Sequence, residues 1–328
     1  MHRLRRTAAA PRRGAHWRGW PRHLVAAGVL AVLVWRLGTG PFVAGLGQVD
    51  APSLAASLGV ALVTTLCCAW RWTLVARALG VTLPLRTAVL AYYRSQLLNL
   101  TTPGGVLGDV DRAVRHGRAA GDRRRSVRSV VWERFAGQAV LVAGAGCALA
   151  LLPSPVRHEV RELGGVLAGA TVVLVLVLWL LHRGPRAGQA RGRAAGWVRT
   201  VGAARAELRS VLLARHTGWR ILMASVVAAC GHVVTFLVAA RTAGSGAPPS
   251  TVLPLALVVL LAMGLPSIAG WGPREGMAAW AFGAGGLGAQ VGVTTAVVYG
   301  VMVLVGALPG ALLLVAAGLR RAREVGHG

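Results

Sequence analysis

Long stretches without a charged residue set the pattern of this sequence. Uncharged, mostly apolar runs occupy residues 51–70, 135–156, 163–181, 221–240, 242–273 and 276–319. A helix that crosses a membrane needs about 20 predominantly apolar residues. Each run therefore predicts a crossing, and the last is long enough for two. The pattern predicts an all-α, polytopic transmembrane helix bundle with about six to eight spans.

A weaker candidate for the first span covers residues 24–46. Arg36 and the helix-breaking pair Gly40-Pro41 interrupt it. A signal peptide is the alternative, but no small-residue cleavage pattern follows a clean apolar stretch. We interpret the segment as a retained first span, which gives three regions: a basic tail over 1–22, a transmembrane domain over 23–319 and a short tail over 320–328.

Composition supports a membrane protein over the soluble classes. Charged residues make up 14% of the chain, whereas soluble domains carry about 25%. The net charge of +26 comes from 36 basic and 10 acidic residues, and every basic residue is arginine. A disordered basic tail would be poor in Leu and Val, and a soluble nucleic-acid binder would be less apolar. We predict no nucleic-acid partner.

The arginines indicate orientation. Most of them, 31 of 36, fall in five segments: before residue 24, in 71–94, in 112–134, in the basic loop 183–220, and at the C-terminal end. Cytoplasmic loops are enriched in Lys and Arg. This rule predicts that all five segments are cytoplasmic. Both termini would then face the cytoplasm and the protein would cross the plasma membrane an even number of times.

Residues 95–108 form an uncharged segment that this orientation does not allow to cross fully. A crossing there would place the eight arginines of 112–134 outside. The segment is short and is broken by a Pro and several Gly, including Pro103 and Gly105. We predict a re-entrant or half-inserted element, with a pair of short tilted helices as the alternative.

A second broken segment, GLPSIAGWGPREG, covers residues 264–276. It places Arg274 and Glu275 alone between uncharged runs of 32 and 44 residues. An unpaired charge at mid-membrane costs about 2.5–3.5 kcal/mol, so a partner or solvent is required. Two such breaks, one in each half of a chain, are typical of a transporter binding site. The alternatives are a simple kink at each break, a purely structural Arg274–Glu275 pair, and an Asp109–Arg112 pair on a cytoplasmic loop.

The two segments carry a family resemblance. The stretch YYRSQLLNLTTPGGVLGDVDRAVRHGR, followed by SVVWERFAG, loosely matches N-x-x-x-P-x-x-x-G-D-x-x-R and then E-R-x-x-G. LPSIAGWGPREG matches P-x-x-x-G-x-G-x-R-E-G, and LPG at 308–310 matches a final span. In these motifs the sequence resembles the membrane-embedded flippase domain of lysylphosphatidylglycerol synthases and the stand-alone proteins related to it. The likeness extends over nearly the whole chain from about residue 24.

The resemblance implies translocation of a lipid between leaflets. In the two-domain synthases a soluble aminoacyl-transfer domain follows the membrane part, but only nine residues follow Leu319 here. We therefore expect no synthase activity and no other enzymatic activity, and we predict no cofactor and no metal. The substrate would be an anionic phospholipid or a lipid-linked precursor such as a polyprenyl-phosphate lipid.

The motifs and the resemblance together select the candidate site residues. Candidates for substrate binding are Asn99, Asp109, Arg112, Glu133, Arg134, Arg274 and Glu275. Candidates for backbone hinges are Pro103, Gly105, Gly108, Pro266, Gly270 and Gly272. In the hypothesis, the two breaks meet near the membrane centre. The arginines attract a phosphate headgroup, while the carboxylates hold the arginines and accept an amino group or sugar hydroxyls.

Two other classes of function stay open. One is a non-catalytic accessory or scaffold subunit of a cell-envelope lipid or glycan pathway. The other is a membrane-embedded transferase, which would need a donor site. Expected partners are membrane lipids, a second copy of the chain, or an envelope-synthesis enzyme.

Overall fold

The computed structural model describes residues 34–35, 38–102, 104–152, 207–264, 267 and 270–315. Within these ranges every regular element is a helix, which confirms the predicted all-α class. We number the α-helices of these ranges in chain order as α1 (Gly40–Gly47), α2 (Ala51–Ala78), α3 (Leu85–Thr101), α4 (Leu107–Ala119), α5 (Arg123–Leu151), α6 (Arg215–Thr242), α7 (Pro249–Leu261), α8 (Pro273–Ala284) and α9 (Ala289–Ala307). A π-helical turn (Arg209–Leu213) precedes α6, and a 3-10 turn (Ala262–Gly264) follows α7.

Four helices of the described ranges are long and apolar enough to cross a membrane. They are α2, α5, the His216–Thr242 part of α6, and α9. They coincide with the charge-free runs 51–70, 135–156 and 221–240 and with part of 276–319. The predicted span 163–181, most of the loop 183–220 and both tails lie outside the described residues. The total number of crossings therefore stays a prediction.

Local sequence signals set where these helices begin. The side chain of Asp50 accepts a hydrogen bond from the backbone N–H of Ser53 over 3.1 Å and caps α2. Asp122 does the same for the N–H of Arg125 over 3.0 Å at the start of α5. Such caps satisfy backbone donors that the first helical turn leaves unpaired. Helix α1 begins at Gly40 with Pro41 in its first turn, so the described part of the predicted first span is interrupted there.

The core has two main parts. In one, Trp72 on α2 and Tyr92 on α3 are almost completely buried, and α3 and α4 pack against each other and against α2 and α5. In the other, Phe236 on α6 packs against Phe282 on α8 and Tyr299 on α9. Helices α2 and α6 share an extensive contact that joins the two parts.

Both predicted breaks are present. The first break, residues 102–106, separates α3 from α4. It is shorter than the predicted 95–108, because residues 95–101 continue α3. The second break lies between the 3-10 turn, which ends at Gly264, and α8, which begins at Pro273. Of the residues in between, the structure describes Ser267 and residues 270–272. Pro103 and Pro266, two of the predicted hinge residues, lie outside the described residues.

Candidate functional site

The first break turns α3 and α4 into an antiparallel hairpin. The amide oxygen of Asn99 accepts a hydrogen bond from the backbone N–H of Gly108 over 2.8 Å. The hydroxyl of Ser95 donates to Oδ1 of Asp109 over 3.2 Å. A Cβ at position 108 would overlap the backbone carbonyl of Ser95, so only glycine allows the two helices to approach this closely. The hairpin thus fixes Asp109 at the start of α4.

The second break places a carboxylate at the start of α8. Oε2 of Glu275 accepts a hydrogen bond from the backbone N–H of Gly272 over 2.6 Å, and Oε1 accepts one from Nε of Arg274 over 2.9 Å. Gly272 has a φ of 112°, which favours glycine. The guanidinium of Arg274 lies 5.6 Å from the ring centre of Trp271 and 5.5 Å from that of Tyr299. The position of Arg274 is thus fixed by an ion pair and two aromatic rings.

The two breaks are in direct contact. The backbone N–H of Gly104 donates to the carbonyl oxygen of Ser267 over 2.8 Å. A Cβ at Gly105 would lie 2.7 Å from the hydroxyl oxygen of Ser267. A Cβ at Gly270 would lie 3.7 Å from Cα of Leu100. Segments 160 residues apart in the sequence therefore form one irregular layer between helices.

A buried charge cluster lies beside this layer. It consists of Arg71, Asp109, Arg112, Glu133 and Arg134. Glu133 has no exposed side-chain surface and binds Arg71, and it accepts from Nη2 of Arg112 over 2.6 Å. Oδ1 of Asp109 accepts from Nε of Arg112 over 3.0 Å and from Nη2 of Arg134 over 2.9 Å. Three guanidinium groups and two carboxylates give the cluster a formal charge of +1.

Arg112 is the most enclosed arginine of the charge cluster. Its side chain is 1% exposed. The guanidinium carbon lies 4.8 Å from the ring centre of Trp72 and 4.7 Å from that of Tyr92. An arginine held between aromatic faces and bound to two carboxylates is rigid. Arg112 and Arg274 thus have similar surroundings, a Trp, a Tyr and a buried glutamate, in the two halves of the chain.

A cavity of about 420 Å³ opens between the two breaks and the charge cluster. Six of the predicted site residues line it: Asn99, Gly105, Asp109, Arg134, Gly270 and Arg274. Arg134 is the accessible arginine of the cluster, with 47% of its side chain exposed. Small-molecule sites usually have volumes of about 300–1,000 Å³, so the cavity is large enough for a polar headgroup.

Other predicted residues support this lining from behind. Arg112 and Glu133 lie inside the charge cluster, and Glu275 is fully buried. Gly108 contacts the backbone of α3, and Gly272 starts α8. These residues position the groups that face the cavity.

The electrostatics of Asp109 follow from its neighbours. Burial raises the pKa of this carboxyl, but the guanidinium groups of Arg134 and Arg112 lower it more. The pKa of Asp109 consequently lies below its ordinary value. Asp109 is therefore ionised at neutral pH and stays bound to both arginines.

Comparison with known protein families assigns the chain. The family model described as the lysylphosphatidylglycerol synthase TM region matches residues 22–310. The chain belongs to this family. Comparisons with curated proteins and with solved structures yield no match.

The family assignment confirms the resemblance stated above and identifies an integral membrane protein of the flippase-like kind. The matched region is the membrane part of these synthases and not their aminoacyl-transfer domain. Both breaks lie within residues 22–310, so the contact between them is part of the family region of this chain.

Sequence reasoning missed several residues that line the cavity. Arg71 was assigned to a cytoplasmic segment because it ends the uncharged run 51–70. In the structure α2 continues to Ala78, and Arg71 is buried, with its Nε donating to Glu133 over 3.0 Å and its Nη1 to Ser225 over 3.2 Å. The sequence did contain a signal for burial, because Arg71 is followed by the mostly apolar residues 72–76 before the next charge at Arg77. Polar residues without a fixed charge also face the cavity, namely Gln96, Gln138, Ser225 and Ser267, and so does His232.

Proposed function

We propose that this protein translocates a lipid with an anionic headgroup, either an anionic phospholipid or a lipid-linked precursor, between the leaflets of the plasma membrane. The observation that carries the proposal is the contact between the two breaks at a cavity lined by arginines. Irregular backbone at membrane depth is tolerated where it lines a polar cavity. Transporter sites are built from such interrupted helices.

The charges around the cavity support an anionic ligand. The charge cluster has a formal charge of +1, whereas Arg274 and Glu275 cancel each other. Part of this positive excess is accessible, because 47% of the Arg134 side chain is exposed. At membrane depth a positive excess is costly without a counter-ion. A phosphate that enters the cavity supplies this counter-ion. Guanidinium groups bind phosphate oxygens through short, charge-assisted hydrogen bonds.

Arg134 makes the first contact with the headgroup in this scheme. Its guanidinium is the accessible one in the charge cluster, and it is held by a single carboxylate, Asp109. Arg71 and Arg274 contribute charge from the cavity wall, since their side chains are 5% and 4% exposed. The apolar tails of the lipid stay in the membrane while the headgroup passes.

The orientation rests on the arginine distribution. The positive-inside rule favours a protein whose termini are both cytoplasmic. The exposed arginines at the start of α5, including Arg123 and Arg124, would then face the anionic inner surface.

Reconstitution in liposomes tests the proposal. Fluorescent phosphatidylglycerol and a fluorescent polyprenyl-phosphate lipid are placed in both leaflets, and leaflet exchange is followed by chemical quenching. The protein is expected to exchange at least one of them. The variant Arg134→Gln should reduce the rate about 10- to 100-fold, because a hydrogen bond to a charged group contributes about 1.5–3 kcal/mol.

The control lies on the same helix. Arg125 is exposed and pairs with Asp122 at the start of α5, away from the cavity. Arg125→Gln should exchange lipid at the original rate. Exchange of neither lipid by the unchanged protein would contradict translocation and favour an accessory subunit of an envelope pathway. An unchanged rate for Arg134→Gln would contradict the assigned site.

A further inference from the structure

More positive than negative side chains face the cavity. Among the described residues that line it, three are arginines, Arg71, Arg134 and Arg274, and one is a carboxylate, Asp109. Glu133 and Glu275 lie behind this lining with no exposed side-chain surface. A headgroup in the cavity therefore contacts mainly guanidinium groups, and the formal charge stays at +1 when the carboxylates behind the lining are included.

Asp109, the one carboxylate among the described residues of the lining, is already paired with arginines. Asp109 binds both Arg112 and Arg134 through Oδ1. A lipid amino group in contact with Asp109 would lie close to both guanidinium groups, and like charges repel strongly in a partly buried site. A cationic headgroup is thus opposed at the only carboxylate that faces the cavity among the described residues.

Apart from His232, the other polar side chains of the lining are mostly amides and hydroxyls, which suit hydroxyl groups of a ligand. Gln96, Asn99 and Gln138 contribute amides, and Ser225 and Ser267 contribute hydroxyls. Amide side chains both donate and accept hydrogen bonds. A glycerol or sugar hydroxyl also does both, so it can pair with either end of an amide. An ammonium group only donates and would leave the amide N–H groups unmatched.

We infer that the cavity selects a headgroup made of a phosphate with neutral hydroxyl groups and discriminates against aminoacylated headgroups of net positive charge. This inference rests on the proposed function and specifies its substrate class. Arg134 provides the accessible positive contact, and the amides of Gln96 and Gln138 provide contacts for hydroxyls. Glycerol phosphate of a phospholipid and a sugar phosphate on a polyprenyl chain share this chemistry.

The test compares lipids that differ in headgroup charge. Liposomes that contain the full chain are loaded with fluorescent phosphatidylglycerol, lysyl-phosphatidylglycerol or a hexose-linked polyprenyl phosphate. We expect at least one of the two hydroxyl-bearing anionic lipids to exchange at least about tenfold faster than the lysyl lipid. The relative rates of the two anionic lipids distinguish a phospholipid substrate from a polyprenyl-linked one.

A variant that adds a negative charge to the lining should weaken the inferred selectivity. Gln138→Glu adds a carboxylate to the lining and should lower the anionic-to-lysyl rate ratio about tenfold. Gln290→Glu makes the same chemical change on an exposed residue in the first turn of α9, outside the cavity. It should leave the ratio unchanged. Gln96→Glu is the second lining variant if Gln138→Glu does not fold.

Binding separates the two proposals. Affinities of the detergent-solubilised protein for the same lipids are measured in parallel. Preferential binding of an anionic lipid without exchange would contradict translocation and support the selectivity. Equal exchange of anionic and lysyl lipids would overturn the selectivity while leaving translocation in place. Binding of none of the lipids would overturn both.

Discussion

The backbone N–H of Gly104 donates a hydrogen bond to the carbonyl oxygen of Ser267 over 2.8 Å. This bond joins two interrupted segments that come from opposite halves of the chain. A backbone-to-backbone bond requires both segments to be irregular at the same level, because residues inside a helix use these groups within the helix. The contact therefore ties the position of Arg274 to that of the α3–α4 hairpin.

Substitution at Gly105 tests the contact between the breaks. Its φ is 65°, and a Cβ would lie 2.7 Å from the hydroxyl oxygen of Ser267. Gly105→Ala should lower the free energy of unfolding by about 1–2 kcal/mol through the backbone alone and should also slow lipid exchange by displacing Ser267. Gly121→Ala is the matched control, with a φ of 71° and open space. Both are measured by thermal unfolding and by leaflet exchange, and equal exchange by the two variants would show that the contact has no role in transport.

Substitution at Gly108 tests the hairpin. An added methyl group meets the Ser95 carbonyl and lies 2.7 Å from the Ser95 Cα. Since backbone cannot move aside as a side chain does, Gly108→Ala should destabilise the protein by about 1–3 kcal/mol. Gly146→Ala, in the C-terminal part of α5 with open space around it, should instead be neutral or stabilising by up to about 1 kcal/mol. The melting temperatures of the two variants should move in opposite directions or differ clearly in size.

Glu133 links two arginines, so its removal should be costly. Glu133→Ala leaves Arg71 and Arg112 without their buried partner and should destabilise the protein by about 3–5 kcal/mol. In the double variant with Arg71→Ala, the loss should be smaller than the sum of the two single losses by at least about 1 kcal/mol. A double-mutant cycle from denaturant unfolding checks this. Additive losses would mean that the two groups contribute independently.

The ionisation of Asp109 makes stability depend on pH. Its pKa is lower in the folded protein than the ordinary value of about 4. The resulting stabilisation is fully present above the ordinary value and is lost as the pH falls through the lower folded pKa. Asp109→Asn should therefore be less stable than the unchanged protein at pH 7, and the difference should shrink as the pH falls below about 4. Unfolding measured across this range checks the sign; a difference that grows on acidification would contradict it.

Charge-free runs predicted the long helices well, because the length of an apolar segment is the quantity that a membrane constrains. Runs 51–70 and 221–240 lie within α2 and α6, and the Gly- and Pro-containing segments contain both breaks. The contact between the breaks followed from placing both at membrane depth. The sequence did not show how long the first break is. Helix α3 continues to Thr101, because no Gly or Pro interrupts residues 95–101.

The grouping of side chains around the cavity was harder to predict. A run of apolar residues locates a helix along the membrane normal but does not tell which face of it points inward, since lipid and protein core are equally apolar. The charge-free pattern therefore predicts that Arg71 lies at the membrane surface, whereas in the structure Arg71 belongs to the charge cluster. For the same reason the sequence did not show that Arg112, a predicted substrate-binding residue, lies behind Asp109 and Arg134 and outside the cavity lining.

Glu275 has two roles that a ligand cannot separate. Its carboxylate binds the Arg274 guanidinium with one oxygen and the N–H of Gly272 with the other. Because this carboxylate is fully buried, an occupant of the cavity can contact Arg274 but cannot contact Glu275. The negative charge of Glu275 also stabilises the N-terminal end of α8. The side chain that faces the cavity and the first turn of the helix behind it are therefore coupled through one carboxylate.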